Sequence, residues 1–457
     1  MSTRQATATG RRTSPSIQAA PDEPERHRTW RIAIQNRTVF LLWGVSLAGA
    51  LITVKNERMR EIFYSLTYLL AAIIVLSFLW AWVSIRWVEL GRQTRARRSQ
   101  VGKPAEEKFF LRNHSWFPKL WLEIRDHSDL PHHRASRVLN AVGPGQWRGW
   151  TVRTTCRARG RFRLGPLTTA TSDPFGLFHI TRYLEQTSSI VIYPATVDLR
   201  AFSPPIGRLP GGDAVRRRTH YVTTNVAGVR DYAPGDSFSR IHWPSTARKD
   251  RLIVKEFELD PTADIWIFVD MHRGVQAGQP VEEGEAAVEL PALFRTRRQK
   301  LVLAPTTEEY SVTAAASLAQ HFIRWNRAVG LVAYGQRREV LPADRGERQL
   351  TKILETLAVI RAEGSAPIAH VLVTEADRLS RGTTLVVVTP ATDESWVLIT
   401  RDLSRRGLRS IAVLVDPASF GKSVRIDKPL TLLRASATPT YVIRRDEPLE
   451  ASLSIPV

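Results

Sequence analysis

The segment DYAPGDSFSRIHWPSTARKD, residues 231–250, contains side chains that could carry out nucleophilic chemistry. Ser245, His242 and Asp236 are the residue types of a nucleophile, its general base and the carboxylate that orients the base. All three fall within ten residues, however, and the serine lacks the Gly-x-Ser-x-Gly turn that exposes such a nucleophile. The sequence also lacks a Gly-x-x-x-x-Gly-Lys-Ser/Thr loop for nucleotide phosphates. We therefore do not expect an enzyme, and a hydrolase using Ser245 and His242 is kept only as an alternative.

The same segment interleaves arginine with aspartate, a pattern that favours charge-assisted hydrogen bonds. From Ile206 to Lys255, ten Lys or Arg and four Asp give a net charge of +6, which favours an acidic partner. Two compatible interpretations remain open: a rigid clasp between two domains, or a surface for docking another protein. The charged residues in question are Arg230, Asp231, Asp236, Arg240, Arg248 and Asp250.

Two further carboxylates could hold a cation. Asp270 ends the apolar run DIWIFVD, and Asp393 follows VVVTP by a few residues. Carboxylates beyond the carboxyl ends of parallel strands are suitable ligands for Mg²⁺. The arrangement resembles a von Willebrand factor A domain, whose adhesion site begins Asp-x-Ser-x-Ser, but His272 and Gly274 occupy both serine positions and Arg273 adds positive charge. We expect a degenerate metal site and no cofactor, with a Mg²⁺-dependent adhesion module as an alternative.

A more specific resemblance lies in GVRDYAPGDSFSRIHWPSTARKDRLIVKEFE, residues 228–258. It is similar to the signature of the bacterial family called "domain of unknown function 58", which runs Arg-Glu-Tyr, Pro-Gly-Asp, Arg-x-Ile-x-Trp and Ser-Ala-Arg. Asp231 replaces the usual Glu, and Thr246 separates Ser245 from Ala247. The stretch RGRFRLGPLTTATSDPFGLF, residues 159–178, resembles an upstream motif of the family. The matching residues are Arg230, Tyr232, Pro234, Gly235, Asp236, Arg240, Ile241, Trp243, Ser245 and Arg248, with Asp173, Pro174, Phe175 and Gly176 in the upstream motif.

The resemblance extends over about residues 38–420 and implies two N-terminal membrane spans, a β region and an A-type domain. It also implies a MoxR-type AAA+ ATPase and unknown client proteins as partners, with a role in envelope maintenance or protein-complex maturation. No chemistry is implied for the signature. We therefore expect a membrane-anchored accessory or scaffold protein of the bacterial inner membrane.

Two uncharged runs near the start are of the right order of length to cross a bilayer, Thr38–Val54 and Ile62–Ile85. They predict a transmembrane hairpin, and the arginines on both flanks place both termini in the cytoplasm. A cleaved signal peptide and a buried core helix are alternatives for the first run. Residues 1–29 lack apolar periodicity and are predicted to be disordered.

The remaining sequence predicts a fold of class α/β plus β. Short alternating segments over residues 106–200 indicate an antiparallel, sandwich-like β domain, and residues 201–260 form the signature connector. Strands alternate with amphipathic helices over residues 261–457, which predicts a doubly wound parallel sheet with an insertion near 273–310. The single cysteine, Cys156, excludes an internal disulfide framework. A net charge of +21 favours the lipid bilayer or acidic proteins, and without a stacking platform no specific nucleic acid is expected.

Overall fold

The protein is described by a computed structural model over residues 30–52, 57–199, 202, 226–233, 238, 241–257, 264–278, 303–445 and 447–457. The predicted disordered tail of residues 1–29 lies outside these described residues. So do residues 203–225 of the signature connector and residues 279–302 of the predicted insertion. The chain combines helices and sheets, as the sequence predicts at the level of fold class.

Two apolar helices lie near the start, α1 (Thr38–Ile52) and α2 (Glu57–Ile85). They pack along each other, and the Ser46 hydroxyl donates to the Phe63 carbonyl oxygen at 3.0 Å and lies 2.9 Å from the Thr67 hydroxyl. Within the described part of the chain, α2 alone is long and apolar enough to cross a membrane. Helix α2 begins at Glu57, before the apolar run that starts at Ile62, so its first turn includes charged residues.

Eleven strands form what we call the β region. They make a five-stranded sheet in the order β1-β10-β9-β5-β6, a three-stranded sheet β2-β4-β7 and a second three-stranded sheet β3-β11-β8. Apolar side chains of the first two sheets face each other and share one core. The strands are β1 (Trp30–Ile34), β2 (Val88–Thr94), β3 (Arg98–Gln100), β4 (Pro104–Asn113), β5 (Lys119–Asp126), β6 (Arg137–Val142), β7 (Trp147–Thr155), β8 (Gly160–Leu164), β9 (Leu167–Ser172), β10 (Phe178–Leu184) and β11 (Ser188–Tyr193).

The β region extends beyond the alternating segments visible in the sequence. Strand β1 precedes α1 in the chain, yet it pairs antiparallel with β10, so that Ile34 lies opposite Phe178. The β region also packs directly on the helices: Leu177, Phe178 and Ile180 join a buried cluster with Ala81 and Ile85 of α2.

The family signature forms a separate two-stranded sheet that we call the signature hairpin. Its elements are β12 (Val226–Asp231), the short helix α3 (Trp243–Lys249) and β13 (Ile253–Phe257). Strands β12 and β13 are antiparallel, and the Tyr232 amide donates to the Leu252 carbonyl at 2.9 Å. Ile241, Ile253 and Val254 are buried in this small unit.

The C-terminal part, which we call the sheet body, contains a six-stranded sheet in the order β16-β15-β14-β17-β18-β19. All neighbouring strands are parallel except the edge strand β16, which is antiparallel to β15. Its elements are β14 (Ile265–Val269), α4 (Thr307–Arg324), β15 (Val329–Tyr334), β16 (Arg338–Asp344), α5 (Glu347–Val359), α6 (Ile368–Ala376), β17 (Thr384–Thr389), α7 (Ser395–Arg405), β18 (Arg409–Val415), α8 (Asp427–Ala435), β19 (Thr440–Ile443) and α9 (Leu449–Ser452).

Both faces of this sheet are covered by helices, so its strands are almost entirely apolar. One buried cluster joins the sheet to α4 and α5, and the other joins it to α6, α7 and α8. The TYVI run near the end of the chain forms β19 and pairs with β18 at the edge of the sheet.

Candidate functional sites

Asp270 lies at the carboxyl end of β14, where the chain leaves the sheet next to β17. Its side chain is almost fully buried, with the residue only 2% exposed. One carboxylate oxygen accepts a hydrogen bond from the His272 amide at 3.0 Å, and the other accepts from the Thr389 hydroxyl at 2.6 Å. Burial raises the pKa of Asp270 to about 6, and the neighbouring carboxylate of Asp393 acts in the same direction. The carboxylate therefore joins its own loop to the end of β17.

The surroundings of Asp270 do not fit a Mg²⁺ site. Both carboxylate oxygens already accept hydrogen bonds, and the second predicted ligand, Asp393, accepts one from the Ser395 hydroxyl. The Lys422 ammonium group donates to the Gly274 carbonyl at 2.8 Å, which brings a positive charge to the loop that would have to hold the cation.

The signature hairpin places His242 and Ser245 in contact, with the imidazole Nδ1 2.7 Å from the serine Oγ. His242 is the residue before the first turn of α3, and Ser245 lies in that turn. Residues three apart at the start of a helix are neighbours in any case, so local helix geometry is sufficient to explain the contact. Asp236, the proposed orienting carboxylate, lies outside the described residues together with Pro234, Gly235 and Arg240.

The outer surface of the signature hairpin carries exposed aromatic side chains. Phe238 is 71% exposed and Trp243 is 64% exposed. The Tyr232 ring stacks on Phe238 with the ring centroids 6.0 Å apart, and Arg248 is exposed in the same unit. Asp231 forms a 3.1 Å ion pair with Arg251. Tryptophan, tyrosine and arginine are the residues that most often dominate the binding energy of protein interfaces.

The upstream motif Asp173-Pro174-Phe175-Gly176 forms the turn between β9 and β10. The buried Asp173 carboxylate accepts hydrogen bonds from the amides of Phe175, at 2.9 Å, and Phe178, at 2.7 Å. Gly176 has a φ of +66°, which a residue with a side chain rarely adopts. The motif therefore builds a fixed turn, and it leaves the Phe175 side chain 63% exposed.

A buried contact that the sequence did not predict joins the β region to the sheet body. Arg159, directly before β8, is fully buried and pairs with Glu308 at 2.5 Å and with Glu309, both in the first turn of α4. Its guanidinium also donates to the carbonyls of Leu357, at 3.0 Å, and Ile360, at 2.7 Å. The motif that contains Arg159 was visible in the sequence, but its partners lie about 150 residues further along.

A second buried charge cluster lies inside the β region. The carboxylates of Glu107 and Asp126 lie 3.2 Å and 3.0 Å from Nε2 of His133, and their ligand atoms are close enough to hold a metal ion. The Arg92 guanidinium contacts the same two carboxylates. Burial lowers the pKa of His133, but the hydrogen bonds to Asp126 and Glu107 outweigh that effect and raise the pKa to about 9. Two cations therefore balance two anions, and a divalent metal would disturb that balance.

Comparison with known proteins agrees with the signature. The family described as "Protein of unknown function DUF58" matches residues 228–295, which include most of the signature hairpin and all of β14. The "Uncharacterized protein YeaD" of Bacillus subtilis (strain 168) is 22% identical over 299 residues, which cover 63% of this chain and 66% of YeaD. The chain thus spans about two thirds of the length of that relative.

Two solved structures that are similar to this chain each cover only part of it. The CARDB domain of the PF1109 protein from Pyrococcus furiosus is 14% identical, with 23% of this chain and 91% of that one covered, at a TM-score of 0.18. The alkylpurine DNA glycosylase AlkC of Pseudomonas fluorescens is 14% identical over 32% of this chain and 43% of its own, also at 0.18. Neither score is high enough to bear on fold or function. The signature match and the similarity to YeaD together support the resemblance of this chain to the DUF58 family.

Proposed function

We propose that this chain is a membrane-anchored accessory or scaffold protein of the bacterial inner membrane. In this proposal α1 and α2 form a transmembrane hairpin, and the β region and sheet body lie at the cytoplasmic face. The signature hairpin presents a docking surface to a MoxR-type AAA+ ATPase or its client. The observation that carries the proposal is the exposed aromatic surface of the signature hairpin, on a chain that also has an apolar helix of membrane-spanning length.

The helices support the membrane anchor. Helix α2 has 29 residues, and at a rise of 1.5 Å per residue it is about 43 Å long, more than the hydrocarbon core requires. Many of its apolar side chains are exposed, such as Leu69 and Leu76. The shorter α1 packs beside it through the Ser46 and Thr67 hydroxyls, the kind of polar contact that joins helices within a bilayer. Arginines before α1 and after α2 favour cytoplasmic termini.

The topology of the sheet body supports a von Willebrand factor A-like domain. Its first strand lies in the middle of the sheet, with later strands added on either side and an antiparallel strand at one edge. Asp270 follows that first strand, where the A-type adhesion site would begin. Because Asp270 is already hydrogen-bonded and buried, we propose that the domain serves as a scaffold, and the Mg²⁺-dependent adhesion module has less support.

The signature hairpin supports a docking role because its exposed groups have the composition of an interface centre. Trp243 and Phe238 offer apolar area, and Arg248 offers a charged hydrogen-bond donor to an acidic partner surface. The buried side chains of Ile241 and Ile253 hold the signature hairpin together. The exposed aromatic side chains are therefore not needed for its own packing.

Co-purification tests the docking role directly. The intact protein would be purified from membranes in mild detergent beside the double variant Trp243→Ala, Arg248→Ala, and co-purifying chains would be identified by mass spectrometry. Trp325→Ala is the matched control, because Trp325 is a 56% exposed tryptophan on the sheet body. We expect the parent and the control to retain an AAA+ ATPase and the double variant to lose it.

The other outcomes of this experiment are also informative. Equal recovery of the ATPase with all three proteins would show that the signature hairpin is not the docking surface. Absence of an AAA+ ATPase from every preparation would contradict the proposed partner and leave only the membrane scaffold.

A further inference from the structure

Two turns of the β region reach α2 and expose an aromatic residue at their tips. The β9–β10 turn exposes Phe175, and the loop of residues 114–118 exposes Trp116, which is 82% accessible. Next to each exposed residue is a second aromatic that packs on the helix. The Phe178 ring meets Phe78 of α2 at 5.5 Å, and the Phe117 ring meets Trp80 at 4.8 Å.

The two turns contact opposite faces of the helix. Phe78 and Trp80 are two residues apart, which places their side chains about 200° apart around the axis at 3.6 residues per turn. Phe178 also meets Phe40 of α1 at 5.9 Å, so the first turn adjoins both apolar helices. The C-terminal end of α2 therefore has an exposed aromatic residue of the β region near each side.

Both turns are rigid. Asp173 holds the first turn through its two backbone hydrogen bonds. In the second, the buried Asn113 amide donates to the carbonyls of Phe117, at 2.9 Å, and Val142, at 3.2 Å. The fully buried Lys119 donates from Nζ to the Val83 carbonyl of α2 at 2.6 Å, which ties the start of β5 to the helix. An apolar side chain presented by a rigid turn loses little conformational freedom when it binds.

The same end of α2 carries further groups typical of a membrane interface. The Arg86 guanidinium lies 4.3 Å from the ring centroid of Trp82 and 5.5 Å from that of Trp87, and both tryptophans are exposed. Tryptophan is enriched at the level of the lipid headgroups, and arginine there attracts anionic lipids.

We propose that Phe175 and Trp116 insert into the lipid interface on either side of α2, which makes the β region a second, peripheral membrane contact. This inference rests on the proposed membrane anchor. Lipid is the favoured occupant because the turns adjoin an apolar helix and the Arg86 cation lies beside its tryptophans. The Glu89 carboxylate near the second turn is paired with His114. The Asp173-Pro174-Phe175-Gly176 motif would then act by holding an aromatic anchor, and the β region would have a fixed orientation at the membrane.

Spin-label accessibility tests this inference on the full chain in nanodiscs of phosphatidylcholine and phosphatidylglycerol. The sole native cysteine would be removed by Cys156→Ala, and single cysteines introduced by Phe175→Cys and Trp116→Cys, with Trp325→Cys as the matched control. We expect the labels at 175 and 116 to be relaxed more by oxygen than by an aqueous nickel chelate, and the label at 325 to show the reverse. If Cys156→Ala unfolds the protein, the native background serves, because Cys156 is buried and burial raises the pKa of its thiol.

Liposome flotation of the same proteins separates the possible failures. Labels at 175 and 116 that are as accessible to nickel as the label at 325, in a protein that floats with liposomes, would overturn the inference and leave the anchor intact. Low accessibility to both reagents would indicate a protein contact and also overturn it. A protein that does not float would overturn both the inference and the membrane anchor.

Discussion

The two family motifs contain arginines that lie in opposite environments. Arg159 of the upstream motif is 0% exposed and is hydrogen-bonded between the β region and the sheet body. Arg248 of the signature is exposed on a separate two-stranded sheet, near a tryptophan that is also exposed. For the signature, an interdomain clasp and a docking surface both stay predictions, whereas the upstream motif contains the arginine that joins the β region to the sheet body.

The environment of Arg159 explains why it suits a clasp. It lies between the first turn of α4, which supplies Glu308 and Glu309, and the C-terminal end of α5, which supplies carbonyl oxygens. A helix C-terminus attracts a cation, and an acidic first turn is itself favourable, so both helices stabilise the buried charge. A buried ion remains stable only when its hydrogen bonds are satisfied in this way.

The largest effect is expected for Arg159→Met, which removes the charge but keeps much of the side-chain volume. It removes the buried donor of the Leu357 and Ile360 carbonyls. Glu308 and Glu309 keep only Arg361, at 3.7 Å. We expect the free energy of unfolding to fall by about 1–3 kcal/mol. Denaturant unfolding of the full chain in mild detergent measures this change. The exposed Arg248→Ala serves as the control, and equal unfolding midpoints for the two variants would contradict a clasp at Arg159.

The sequence could predict the strands and helices, because these are set by local patterns of residues. The alternation of strands and amphipathic helices over residues 261–457 was predicted correctly, because each pattern lies within a single element, as in TLVVVT of β17 and SWVLITRDLSR of α7. The apolar helix α2 was likewise predicted and confirmed, and the family model matches the segment that carries the predicted resemblance. The partners of Arg159 could not be predicted, because they are 149 and 150 residues away and only the packing of two domains brings them together. For the same reason the exposure of Trp243 and the pairing of β1 with β10 were not evident.

A second buried arginine, Arg92, sharpens the comparison because its cluster lies within the β region and includes His133. The folded pKa of His133, about 9, is above its ordinary value of 6.5. A raised pKa means that the protonated imidazole stabilises the folded protein fully below about pH 6.5 and that this contribution is lost as the pH rises through 9. We expect the unfolding midpoint to decrease between these pH values.

Variants at two histidines isolate this effect. His133→Gln should reduce the fall of the unfolding midpoint with rising pH. His114→Gln, at an exposed histidine paired with Glu89, should leave that pH dependence unchanged. Unfolding followed at a series of pH values measures both. A decrease that persists unchanged in His133→Gln would assign the pH dependence to other groups.

The smallest effect on stability is expected for Trp243→Ala. The side chain is 64% exposed, and the signature hairpin is held by Ile241, Ile253 and Val254 instead. Replacement of an exposed residue outside the core usually changes stability by no more than about 0.5 kcal/mol, so the denaturant midpoint should match that of the parent. A loss comparable to that of Arg159→Met would mean that Trp243 packs against another part of the protein, and the signature would then be a second clasp. An unchanged midpoint together with loss of the ATPase would instead assign the energy of this tryptophan to recognition.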